Sequence, residues 1–201
     1  MSNANIDSRR AFLGGMLAVP VMMLSEAQRL RAGTRAELDP TPACAEAHDL
    51  TPSETQGPYF RPRSPERVTL VEGGAPGTRV VLTGVVLSTA CRPVPRALLD
   101  FWHADDGGDY DLSGYGFRGH QFADASGRYT LETIVPGRYA GRTRHIHVKV
   151  QAPDGPVLTT QLYFPGEAQN RSDGLYRREL EVALEDAGSG RQARFDFVVR
   201  A

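Results

Sequence analysis

From Arg79 onward, short apolar runs alternate with clusters of turn residues. Arg79-Val80-Val81-Leu82-Thr83-Gly84-Val85-Val86-Leu87 is a nearly continuous apolar run, and a Cys-Arg-Pro-Val-Pro turn closes it. Further runs cover residues 97–102, 128–134, 144–151, 157–164 and 193–200. Each is strand-length, bounded by Gly, Pro or Asp, and none sustains the 3.6-residue period of an amphipathic helix. Short strands separated by Gly/Pro turns predict an all-β fold, an antiparallel β-sandwich over residues 79–201 with long loops between strands. Residues 37–78, rich in Pro, Thr, Glu and Gly and without periodicity, predict an N-terminal arm lying over that domain.

In the segment 144–151, Ile146, Val148 and Val150 alternate with His145, His147 and Lys149. Side chains at i and i+2 of a strand share a face, so the two imidazoles project together. A pair so placed suits a metal ion, although two histidines on the wet side of a sheet would give the same pattern.

Composition narrows the function. The 201 residues carry a net charge of -1, with 40% hydrophobic and 23% charged residues. That supports one core-forming domain and no electrostatic footprint for nucleic acid. Residues 1–36 read as a leader. Arg9-Arg10 precede a modest apolar stretch from Gly14 to Leu24, which resembles a twin-arginine export signal and is too short for a comfortable membrane span. Export to the periplasm or beyond, with no stable membrane insertion after processing, is the expectation. The two cysteines, Cys44 and Cys91, form an even count, which in an oxidising compartment favours a disulfide; two separate thiols are the alternative.

Four separated segments stand in one order along the chain. They are Thr51-Pro52-Ser53-Glu54-Thr55-Gln56-Gly57-Pro58-Tyr59-Phe60, the stretch from Asp100 through Trp102-His103-Ala104 and Gly108-Asp109-Tyr110, the stretch from Gly127 through Pro136-Gly137-Arg138-Tyr139 to His145-Ile146-His147, and Leu158-Thr159-Thr160-Gln161-Leu162-Tyr163-Phe164. Together they resemble the intradiol ring-cleavage dioxygenases, the family of catechol 1,2- and protocatechuate 3,4-dioxygenases, over residues 51–166. The cysteine pair and the leader look most like its exported branch.

What the resemblance implies is one ferric ion per chain, held by Tyr110, Tyr139, His145 and His147. The donor chemistry agrees, since a hard ferric cation binds phenolates well and collapses their pKa from the usual value of about 10. The implied reaction is O2-dependent cleavage of a catechol between its two hydroxylated carbons, giving a muconate-type diacid. In it Arg142 stabilises the carbanion-like substrate, Tyr139 is the releasable ligand and proton acceptor, Gln161 supports the pocket beside the iron, and Tyr59 contributes to the pocket wall with Arg142. His103 is expected to be structural or to lie just behind the ligands, His48 and His120 to lie on the surface, and Tyr129 and Tyr163 to be packing residues.

Two readings compete. One is an exported β-sandwich binding module without turnover; the other is a sandwich holding copper or zinc through the histidine pair alone. Only five residues, 140–144, separate Tyr139 from His145. Better-known cytoplasmic members carry longer insertions there, at the substrate rim, so the resemblance does not transfer specificity. Nor is there room for the helical dimerisation region of the catechol 1,2-dioxygenases, which leaves homo-oligomer formation possible but of unspecified mode.

Overall fold

The structure is a computed structural model in which residues 49–201 are described. Nine strands follow in chain order: β1 (Arg79–Ser88), β2 (Leu98–Trp102), β3 (Arg118–Phe122), β4 (Arg128–Ile134), β5 (His145–Gln151), β6 (Val157–Tyr163), β7 (Ala183–Ala187), β8 (Gly190–Arg194) and β9 (Phe197–Val199). The helical segments among the described residues are two 3-10 turns, Ala168–Arg171 and Arg178–Leu180. No helix there is long and apolar enough to cross a membrane. The expected leader (residues 1–36), Cys44 and His48 lie outside the described residues.

One sheet is antiparallel throughout, in the order β3-β2-β5-β6. The other runs β4-β1-β8-β7, with β9 also pairing β1. Leu99, Phe101, Ile146, Val148, Val150 and Leu162 of the first sheet join Val80, Leu82, Val86, Leu131, Phe195 and Phe197 in a single core cluster. In β1 alternate residues are buried, as period-two geometry requires.

The sandwich is therefore as expected, but its second sheet is mixed rather than antiparallel. The run at 193–200 divides into β8 and β9, both parallel to β1. Asp196 causes the division, because its carboxylate accepts the Val85 N–H at 2.9 Å, between the stretches of β1 paired to β8 and to β9. Strands β3 and β7 have no counterpart in the apolar pattern. In β3 the buried positions are Arg118, Gly119 and Gln121, and β7 reads Ala-Leu-Glu-Asp-Ala.

Residues 51–64 run along and over the outer side of the antiparallel sheet, and residues 66–70 continue past β3 to pair with β4. The Thr51 N–H donates to the Val198 carbonyl, the Glu54 N–H to the Thr159 carbonyl, and the Thr160 hydroxyl to the Pro52 carbonyl. Phe60 packs edge-on against Trp102, ring centroids 4.9 Å apart. Ser64 donates to Asp100 at 2.7 Å. His120 is not a free surface residue. It is half-buried, and its Nδ1 donates to the Ser64 carbonyl at 2.7 Å, fastening this arm to β3.

The core makes a graded prediction. Leu131, fully buried on β4, should cost about 2–5 kcal/mol on replacement by Ala. Tyr129→Phe, which removes only a hydroxyl donating to the Phe195 carbonyl at 2.8 Å, should cost about 1 kcal/mol. Thermal melts of the two variants should preserve that order, with Tyr129→Phe lowering Tm by about 2–4 °C.

Candidate metal centre

The sheet register builds the centre from β5. His147 sits opposite Trp102 on one side and Gln161 on the other, and His145 sits opposite Tyr163. All of them lie on the outer, arm-covered face. The imidazoles are 4.8 Å apart by ring centroid and nearly perpendicular. They are only 4% and 3% exposed, which removes the alternative of two wet histidines. Trp102 stacks flat on His147 at 4.9 Å.

Burial keeps both rings neutral. It lowers His145 to about 4, against the opposing pull of its hydrogen bond to the Thr143 carbonyl. It lowers His147 well below the ordinary histidine value, helped by the repulsion that a second proton on the His145–His147 pair would meet and by the positive charge of Arg142. His145 Nδ1 donates to the Thr143 carbonyl at 2.7 Å. That fixes the tautomer and leaves the Nε2 lone pair 3.4 Å from the Tyr110 hydroxyl. His147 Nδ1 is buried without a hydrogen-bond partner.

The phenols arrive on two loops, Tyr110 between β2 and β3, and Tyr139 between β4 and β5. The loops meet backbone to backbone. Gly137 N–H donates to the Asp105 carbonyl at 2.7 Å. A Cβ on Gly108 would stand 2.0 Å from the Arg138 carbonyl oxygen, and one on Gly137 would stand 2.3 Å from the Gly108 nitrogen. Gly108 also has φ +95, which L side chains rarely adopt. This contact brings the Tyr110 and Tyr139 rings to 5.6 Å, nearly perpendicular. Past Tyr110 the loop is pinned by Asp111, whose carboxylate accepts from the backbone of Gly114, Gly116 and Ser113, bonds that hold it far below the usual carboxylate range.

Tyr59 completes the group from the arm. Its ring stacks on Tyr110 at 4.5 Å, and its hydroxyl is hydrogen-bonded to that of Tyr139, a bond that raises its pKa. Burial pushes Tyr110 upward, with the positive charges of Arg142 and Arg118 pulling the other way. Arg118 was not legible as a site residue. It is buried, donates to the Tyr59 carbonyl at 2.6 Å and the Asp111 carbonyl at 3.1 Å, and so ties the arm to the Tyr110 loop.

Arg142 lies beside the group with its guanidinium engaged. Nη2 donates to Gln161 Oε1 at 2.7 Å, and Nε pairs with Asp173, another residue that sequence patterns did not reveal. Gln161 is fully buried and spends the other end of its amide on the Thr55 carbonyl at 2.9 Å. Tyr163 is a packing residue whose hydroxyl also reaches this network, 3.3 Å from Gln161 Oε1. His103 stands outside it, its Nδ1 donating to the Ala104 carbonyl and its Nε2 accepting from the Thr133 hydroxyl, both at 2.6 Å. Cys91 is disulfide-bonded.

Among the described residues no group of three His, Cys, Asp or Glu side chains is placed to hold a metal ion. A cation here would depend on phenols as well as imidazoles. Two buried neutral imidazoles, one with its Nε2 lone pair facing a phenol oxygen and one with an orphaned nitrogen, together with two adjacent phenols, make a donor set suited to a hard trivalent ion.

A family model described as "Dioxygenase" matches residues 55–201. Over 157 residues the chain is 32% identical to a hydroxyquinol 1,2-dioxygenase of Rhodococcus opacus, covering 64% of this chain and 51% of that protein. The chain thus spans about half the length of this curated relative. Among solved structures, the dioxygenase domain of a dioxygenase–carbohydrate-binding protein fusion from Streptomyces sp. SirexAA-E superposes with a TM-score of 0.75 at 55% identity, covering 76% of this chain and 99% of that one. The 3-chlorocatechol 1,2-dioxygenase of Rhodococcus opacus 1CP gives a TM-score of 0.72 at 30% identity, covering 78% and 75%.

The glycine contact makes a prediction of its own. Gly137→Ala should force the two loops apart, cost about 3 kcal/mol in overpacking, and weaken the near-ultraviolet circular dichroism of the packed tyrosines. An unchanged tyrosine signal would mean that the phenols are held by something else.

Proposed function

Since the chain belongs to the intradiol ring-cleavage dioxygenase family, we propose that it cleaves a catechol between its two hydroxylated carbons with O2. One carbon–carbon bond breaks, both oxygen atoms enter the product, and the two hydroxylated carbons become the carboxyls of a muconate-type diacid. The observation that carries the proposal is the convergence of Tyr110, Tyr139, His145 and His147 from two loops and one strand. The relatives' names, hydroxyquinol and 3-chlorocatechol dioxygenases, support a catechol-type substrate.

Ferric iron, one per chain, held by those four residues, would supply the Lewis acidity and redox capacity that let a catechol react with O2. The chain's own residues do the rest. Neutral imidazoles offer lone pairs without competing for protons, because burial has already removed their affinity for them. Tyr139 is half-buried and hydrogen-bonded to Tyr59, which is also half-buried. As the phenolate it would be when holding the metal, the Tyr139 oxygen would accept a catechol proton, with the Tyr59 hydroxyl hydrogen-bonded to it. Arg142 provides a fixed positive charge, felt at Tyr110, His145 and His147 alike, against which negative charge develops on the substrate. Gln161, opposite His147 in the sheet, holds that guanidinium through its Oε1 and supports the pocket beside the metal. Trp102, Tyr59 and Phe60 form the apolar surround that keeps water from the ring.

The same reading takes residues 1–36 as a twin-arginine-type export leader and the enzyme as periplasmic or extracellular. The disulfide at Cys91 supports an oxidising location.

Iron-loaded protein should be red-brown from phenolate-to-iron charge transfer and should consume O2 with at least one member of a panel of catechol, protocatechuate, hydroxyquinol and chlorocatechols. Tyr110→Phe and Tyr139→Phe should each bleach or shift the colour. Each should also lower iron affinity by at least the ~10–100-fold that changes around a metal site typically cost. Protein that stays colourless after ferric loading, or phenylalanine variants that keep colour and oxygen uptake, would refute the assignment.

A further inference from the structure

The connection from Tyr139 to His145 is braced from outside by a short segment that sequence patterns did not single out. The brace is Glu167, Asn170 and Asp173, spaced by three residues around the 3-10 turn Ala168–Arg171. Asn170 lies within the turn, while Glu167 at its N-cap and Asp173 just beyond its C-cap flank it. Each contacts the connection. Glu167 pairs with Arg138 and Arg144, both at 3.2 Å. Asn170 accepts a hydrogen bond from the Thr143 hydroxyl. Asp173 takes Arg142 Nε through both carboxylate oxygens, at 2.8 and 3.0 Å, and the Thr143 N–H at 2.9 Å.

These contacts are not equal. Arg138 is half exposed in its pair with Glu167, and exposed ion pairs contribute little. The Asp173 side chain is only 2% exposed, and its carboxylate grips two consecutive residues. Through Arg142 it sets the guanidinium, whose Nη2 is taken by Gln161; among the described residues nothing engages Nη1. Through the Thr143 amide it sets the peptide whose carbonyl receives His145 Nδ1–H at 2.7 Å. One carboxylate thus connects to both the arginine and one of the imidazoles.

We infer that Asp173 is a positioning residue that fixes Arg142, with Nη1 left for the substrate, and seats His145 through the Thr143 peptide. The inference rests on the catechol dioxygenase reading for the role of Arg142, while the brace itself does not depend on it. Arginine has large rotamer freedom, and locking it in place before reaction is how a charge acts on a developing anion without reorganisation.

The test uses the iron-loaded full chain and the variant Asp173→Asn, which keeps the side-chain shape and removes the charge. Its kcat for the best catechol should fall about 100-fold, as expected for a misplaced catalytic group, with KM within about threefold of the parent. The visible band should be retained. Arg142→Ala should fall similarly, and the double variant Arg142→Ala/Asp173→Asn should fall by well under the product of the two single losses, any excess over Arg142→Ala reporting the His145 branch. Hydrogen exchange measured by mass spectrometry should be at least tenfold faster in Asp173→Asn for the peptide covering residues 139–145. Should Asp173→Asn fail to fold, Asp173→Glu keeps the charge but displaces it and should show the same kinetic pattern. Parent-like kinetics, multiplicative losses in the double variant, or unchanged exchange at 139–145 would each overturn the inference. A parent that consumes no catechol would instead remove the dioxygenase reading, and the exchange measurement would still decide whether Asp173 braces the connection.

Discussion

The centre depends on the register of one strand. β5 is hydrogen-bonded on both sides, to β2 and to β6, and carries imidazoles on one face and Ile146, Val148 and Val150 on the other. A slip of one residue would send His145 and His147 into the core and the aliphatic side chains outward. The aliphatic face is sealed within a fully buried cluster, so the register is strongly specified, and the imidazoles are fixed as a by-product of core packing. Their face must then be covered by something that is not sheet. The arm and two loops do this, and the coverage makes the imidazoles neutral.

That coverage also explains the electrostatic character of the phenols. Tyr110 is pushed upward by burial while two arginines pull it down. The balance leaves a group reluctant to ionise alone yet surrounded by charges that favour the ionised form. A strongly charged cation would tip it. Arg118 plays a double part, joining the arm to the Tyr110 loop by carbonyl hydrogen bonds while contributing one of those charges.

Legibility in the sequence followed the range of the signal. Strands written as apolar runs, such as β1, and the paired imidazoles on β5 were visible because period two is a local property. Strand β3 was not, because its burial comes from the arm and from neighbouring strands rather than from its own composition, and β7 was not, because it is largely exposed and is strand only through its pairing with β8. The junction at Asp196 looked like continuous strand because nothing in Phe-Asp-Phe reveals that the aspartate will accept the Val85 amide 111 residues away. Asp173 was invisible for a similar reason. An Asp before Gly reads as a turn, and its partners lie 30 and 31 residues upstream. His120 misled in the opposite sense, since its anchoring to Ser64 requires the arm to be folded back.

The backbone contact between Gly108 and Gly137 carries an implication for how such a site changes over generations. Where two main chains touch, no side chain is admissible, so these positions are closed to variation however the protein is selected. The outer part of the Tyr110 loop is under no such restriction. Leu112 is 72% exposed and can be exchanged without disturbing the meeting of the loops. Heritable diversity is thereby channelled away from the meeting point of the two phenol-bearing loops and toward the exposed part of the Tyr110 loop.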